Sequence, residues 1–90
     1  MTVQKVSITL QNTDEARSLI EAIEQDNPGA EVNIFPAMVK IDCPGRLVLK
    51  RQTVEEKIGR DWDLQEMQLS LISLSGNIDE DDDEFVLEWK

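Results

Sequence analysis

Val6, Ile8 and Leu10 alternate with Ser7 and Thr9, the two-residue period of a strand that buries one face. Asn12-Thr13-Asp14-Glu15 follows with the pattern of a helix start: Asn12 as N-cap, Glu15 three residues on, and acidic side chains where the helix dipole favours them. Ala16, Leu19, Ile20 and Ile23 then recur at helical spacing, and Asn27-Pro28-Gly29 predicts the stop. Val32 and Ile34 flank Asn33 in a short strand that Pro36 interrupts. In the next strand Val39, Ile41 and Cys43 alternate with Lys40 and Asp42, which leaves Met38 on the opposite face. Pro44-Gly45 turns the chain into a fourth strand with Leu47 and Leu49 on one side.

The order then recurs. Thr53-Val54-Glu55-Glu56 has the form of a capping box opening a short helix, and Gly59 that of its C-terminal stop. Trp62 to Met67 reads as a further helical turn and Gln68 to Ser75 as a strand. Phe85, Leu87 and Trp89 give a final alternating strand, and Gly76 to Glu84 a polar, acidic connection. Each half thus runs strand, capped helix, strand, strand. The pattern predicts an α+β fold: two such units forming one compact domain over residues 1–90, with helices packed on mainly antiparallel sheet. Trp62 and Trp89 are expected to fill the core, although tryptophan also anchors interfaces. One strand breaks the alternation. Leu69 and Leu71 mark one face, while Ile72 and Leu74 mark the other beside Ser70. Such a strand is sandwiched, bulged, or offers its second face to a partner.

Composition narrows the function by exclusion. Nineteen acidic residues against nine basic give a net charge of −10, which repels phosphate backbones and anionic bilayers. Nucleic acid and membrane are therefore not expected partners. Histidine is absent, which removes Ser-His-Asp and Cys-His chemistry and zinc sites of the usual kind. The lone Cys43 can neither close an intrachain disulfide nor hold an iron–sulfur cluster, and it fits a reducing cytoplasm. No apolar run reaches the length of a membrane span or of a signal-sequence core. The run Asp79 to Glu84 puts Asp79, Asp81 and Asp83 at the first, third and fifth positions of a calcium loop. It then puts Glu84 where glycine is needed and Lys90 where a bidentate carboxylate is needed. Its expected state is a solvated loop that discourages edge pairing; a small acidic ion- or ligand-binding protein built on it is the alternative function. Adjacent carboxylates such as Glu55 and Glu56 diverge on a helix and make no acid–base pair. The chain is expected to bind rather than to catalyse.

Several stretches together resemble the regulatory (coupling or effector) component of bacterial multicomponent diiron monooxygenases, the phenol hydroxylase branch in particular. They are Ile20-Glu21-Ala22-Ile23 with Asp26-Asn27-Pro28, Pro36-Ala37-Met38-Val39, Thr53 to Glu56 with Gly59 to Met67, and Gly76 to Lys90. The resemblance spans nearly the whole chain. It implies a protein with no cofactor and no catalysis of its own that binds the hydroxylase component. There it would tune active-site geometry, substrate access and the coupling of electron transfer to oxygen activation. The iron ligands would belong to the partner. Carried over along a gapless match from the methane-oxidising branch, the expected contacts are Ser70, Ile72, Ser73, Leu74, Gly76 and Asn77, to which we add Asn33 and Met38. The first strand is expected to start near Val3, without the long N-terminal extension of that branch.

Overall fold

The computed structural model describes residues 4–89, so Val3 and Lys90 lie outside the described residues. The first alternating run forms β1 (Lys5–Gln11), with Val6, Ile8 and Leu10 fully buried. A thirteen-residue helix, α1 (Asp14–Asp26), follows. Its N-cap is Thr13, whose Oγ1 accepts from the Ala16 N–H at 3.1 Å. Asn12, the expected cap, is engaged elsewhere: its side-chain amide donates to the Phe35 carbonyl. α1 buries Ala16, Leu19, Ala22 and Ile23 on one face, and burial of each large aliphatic side chain stabilises by about 1.5–3 kcal/mol.

The next strands are β2 (Glu31–Ile34), β3 (Met38–Pro44) and β4 (Arg46–Lys50). β4 runs straight into α2 (Arg51–Ile58). Helix therefore starts two residues before Thr53, which is buried inside it, and the expected capping box does not form there. The first turn of α2 is tied down instead by Asp83. Its carbonyl accepts from Arg51 N–H at 2.8 Å, and its carboxylate pairs with the Arg51 guanidinium at 2.8 Å. Glu55 accepts from the Trp62 N–H rather than reaching back. Gly59 does end α2, in the left-handed conformation at φ 73°. A true capping box lies further on, where Asp63 and Glu66 open a 3-10 helix over Leu64–Leu69.

The predicted strand from Gln68 begins only at Leu71, as β5 (Leu71–Ser75), because Leu69 and Ser70 finish the 3-10 turn. Gly76 then reverses the chain at φ 138°, a value that side chains rarely adopt. The acidic connection contains a strand of its own, β6 (Asn77–Glu80), before β7 (Glu84–Glu88).

Two antiparallel sheets result, a four-stranded one in the order β2-β3-β1-β5 and a three-stranded one in the order β4-β7-β6. The fold is α+β, and the two units interlock: β5, from the second, completes the sheet of the first. One core cluster joins both sheets to both helices, with Ile8, Leu10, Ile23, Ile41, Leu47, Leu49, Phe85 and Leu87 all buried. Trp62 belongs to it. Trp89 does not: it is 45% exposed and clasps the first strand through its indole N–H, which donates to the Lys5 carbonyl at 2.9 Å. Among the described residues no helix is long and apolar enough to cross a membrane.

Candidate functional site: the open face of the four-stranded sheet

In an antiparallel sheet, residues in register share a face, so the pairing defines rows across the strands. Val39, Ile41 and Cys43 point to the core, which puts Met38, Lys40 and Asp42 on the other side. Asn33 of β2, Lys40 of β3, Thr9 of β1 and Ser73 of β5 are successive register partners and form one row on that side. Glu31, Asp42, Ser7 and Ser75 form the next. Met38 and Gln11 begin a third.

The register between β1 and β5 explains the doubly apolar strand. Leu71 pairs with Leu10 and Ser73 with Thr9, so Ile72 is the extra residue of a β-bulge. The bulge returns Leu74 to the core side opposite Ile8, and Leu71 and Leu74 both pack on the core. Ile72 is left 49% exposed. The faces expected from simple alternation are thus redistributed: Leu74 does not share a face with Ile72, and Leu69 is 74% exposed rather than aligned with Leu71.

Four of the predicted contacts are brought to this exposed side of the sheet: Asn33, Met38, Ile72 and Ser73. The other four are not. Ser70 is buried, and its carbonyl accepts from the Gln11 N–H at 2.8 Å. Leu74 faces the core. Gly76 packs so tightly in its turn that a Cβ there would sit 3.0 Å from Val6 Cγ1. Asn77 opens β6 in the other sheet, opposite Glu88. Sequence reasoning missed Lys40 and Thr9, which the register sets between Asn33 and Ser73. It also missed Ile34 and Phe35, exposed at the β2–β3 turn. An apolar pair directly before Pro36 was the available signal.

Charges on the face are locally balanced. Lys40 lies 3.9 Å from Asp42, Lys5 lies 3.6 Å from Glu31, and Ser7 Oγ donates to the Asp42 carboxylate. Small hydroxyls, paired ions and two flexible or branched apolar side chains make a surface suited to protein contact. The acidic run is spent on structure. Asp81 Oδ1 accepts from the N–H groups of Asp83 and Glu84, which holds its carboxyl below the usual range, and Asp83 pairs with Arg51. Among the described residues no three potential ligands come together to hold a metal ion.

The chain matches the MmoB/DmpM family model over residues 4–88. It is 55% identical over 85 residues to the stimulatory component DmpM of phenol 2-monooxygenase from Pseudomonas sp. (strain CF600), covering 94% of each. It superposes with a TM-score of 0.93 and 54% identity on a chain from a structure of the phenol hydroxylase–regulatory protein complex, covering 97% of this chain and 100% of that one. The soluble methane monooxygenase regulatory protein B shares the fold at 20% identity and TM-score 0.75, with 96% of this chain matched to 65% of that longer one. A model match across nearly the whole length and a relative more than half identical make this chain a member of the MmoB/DmpM family.

Proposed function

We propose that this chain is the stimulatory component of a phenol hydroxylase: it binds the hydroxylase and raises its activity, with no cofactor and no catalytic step of its own. The near full-length match to a phenol 2-monooxygenase stimulatory component carries this reading. The chain acts as one regulatory domain over residues 1–90, in the cytoplasm, where a buried free Cys43 stays reduced. Its contact surface is the open face of the four-stranded sheet, centred on Lys40, Ser73 and Ile72 with Asn33 and Met38 at the margin. An effector without chemistry works only by binding one state of its partner more tightly than another. Each tenfold preference is worth about 1.4 kcal/mol, an amount that a few apolar contacts can supply. The hydroxylase state so favoured is the one in which active-site geometry, substrate access and electron delivery are coupled.

The test is steady-state hydroxylation of phenol by hydroxylase and reductase, with and without this protein. Turnover and coupling of reductant to product should both rise on its addition. No rise at any concentration refutes the reading. Ile72→Asp then tests the face, because it would set a charge against the partner while disturbing little of the isolated fold. Unchanged melting with lost activation is expected, and full activation at wild-type concentrations would place the contact elsewhere.

A further inference from the structure

A second surface lies around the edge from the open face. The first turn of α1, α2 and the 3-10 helix enclose a groove of about 390 Å³. Its floor is apolar, formed by Leu19, Val54, Ile58 and Trp62, and Leu69 stands at its mouth with 74% of its surface exposed. The rim is acidic. Asp14, Glu15 and Glu66 line it against one cation, Arg60, whose guanidinium is held 3.2 Å from the Glu66 carboxylate and also donates to the Asp61 carbonyl at 2.8 Å. Leu69 is unexplained by folding, since a leucine so exposed contributes little to the core.

We infer that this groove docks a segment of the hydroxylase in which an apolar side chain is flanked by lysine or arginine. Two observations choose that occupant. With Glu66 paired to Arg60, the rim keeps the two further carboxylates of Asp14 and Glu15, so it complements a basic flank and repels an acidic one. The mouth is also continuous with the open face. Gln11 ends the third row there, its N–H donates to the Ser70 carbonyl, and Asp14 and Ile72 follow within three residues of Gln11 and Leu69. A body seated on the sheet reaches the groove without leaving the surface. The inference rests on the proposed function and adds a second, electrostatically selective contact to it.

The experiment titrates purified hydroxylase component into wild type, Leu69→Lys and Ile72→Asp at low and high salt, with melting curves for each. Leu69→Lys should melt as wild type yet bind at least about tenfold more weakly at low ionic strength, a change of about 1.4 kcal/mol. The wild type's affinity should fall with salt more steeply than that of Leu69→Lys. A second arm uses Ser18→Cys. Ser18 lines the groove, whereas the native Cys43 is buried and its thiol is pushed up by burial, so alkylation reports the groove. Saturating hydroxylase should slow that alkylation severalfold. Unchanged affinity of Leu69→Lys overturns the inference, and so does unprotected alkylation; the alkylation arm decides alone if Leu69→Lys melts early. Self-association of the wild type that Leu69→Lys abolishes, with hydroxylase affinity intact, gives the groove to a second copy and likewise overturns it. Failure of the wild type to bind hydroxylase at all refutes the proposed function instead.

Discussion

Asn27 closes an edge that a strand would otherwise have to close, and its removal should be among the costliest single changes in this chain. β4 is an edge strand, and the backbone of its Val48 faces the end of α1. There the Asn27 side chain acts as a short substitute strand: Oδ1 accepts from Val48 N–H at 2.9 Å, and Nδ2 donates to the Val48 carbonyl at 2.7 Å. Nδ2 also donates to the Ile23 carbonyl at 2.7 Å. Asn27→Ala loses all three bonds, but it does not orphan three groups. The Ile23 carbonyl keeps the Asn27 backbone N–H at 2.9 Å, so the Val48 N–H and carbonyl alone are left bare. At about 1–3 kcal/mol for each unsatisfied group, lessened where water reaches in, the loss comes to roughly 2–4 kcal/mol. A 90-residue domain has only about 5–14 kcal/mol in all. Urea unfolding followed by circular dichroism should show a lower midpoint at unchanged slope. Asn27→Asp separates hydrogen bonding from shape. The new carboxylate keeps one acceptor but faces two carbonyl oxygens, so folding raises its pKa above the unfolded value of about 3.9. The stability it contributes is therefore present below that value and lost as pH rises through the folded one. It should destabilise more than alanine at pH 7 and recover, relative to wild type, near pH 4. An Asn27→Ala midpoint shift worth less than about 0.5 kcal/mol, within the range of an ordinary surface substitution, would refute the edge-closing role.

Further outcomes follow from the packing. Trp62→Ala should cost about 3–5 kcal/mol as a core truncation, whereas Trp89→Ala loses one hydrogen bond at a half-exposed site and should cost about 1 kcal/mol; equal denaturant midpoints would contradict the assigned burial. Gly76→Ala sets a Cβ against Val6 at a φ of 138°, a strain of about 1–3 kcal/mol that thermal melts should reveal. The Asp81 carboxyl is held low by two backbone N–H groups, so its contribution to stability is present above the unfolded value and is lost as pH falls through the folded one. Asp81→Asn, which mimics the uncharged form, should accordingly lower the midpoint slightly at neutral pH, leave the acid end little changed, and so flatten part of the acid limb of the melting profile.

Six of the seven strands and α1 were legible because burial imposes a period on them, whereas β6, exposed at all four residues, carries none and reads as a connection. What escaped was decided by tertiary partners. Asn12 and Thr13 are both competent caps, and only the β2–β3 turn, which takes the Asn12 amide, makes Thr13 the one used. Thr53-x-x-Glu56 has the letters of a capping box, but the absence of any loop after β4 starts the helix earlier and hands its first turn to Asp83. The bulge at Ile72 was one of three readings that the sequence left open, and the register against β1 selects it. Of the eight expected contacts, Asn33 and Met38 landed on the open face, and so did Ile72 and Ser73 from the strand expected to run from Gln68. Ser70 was taken up by the end of the 3-10 turn, the extra residue of the bulge returned Leu74 to the core, and Gly76 and Asn77 lie past the end of that strand.

The edges of both sheets bear on how a partner can engage this protein. An exposed strand edge invites another strand, and small sheets need devices against it. Here β4 is occupied by the Asn27 amide, β5 is broken by the bulge at Ile72, β6 carries Asp79 and Glu80, and β2 is four residues long with Pro36 beyond it. Strand addition is thereby discouraged at every edge. A specific partner must then be recognised through side chains on a face or in a groove.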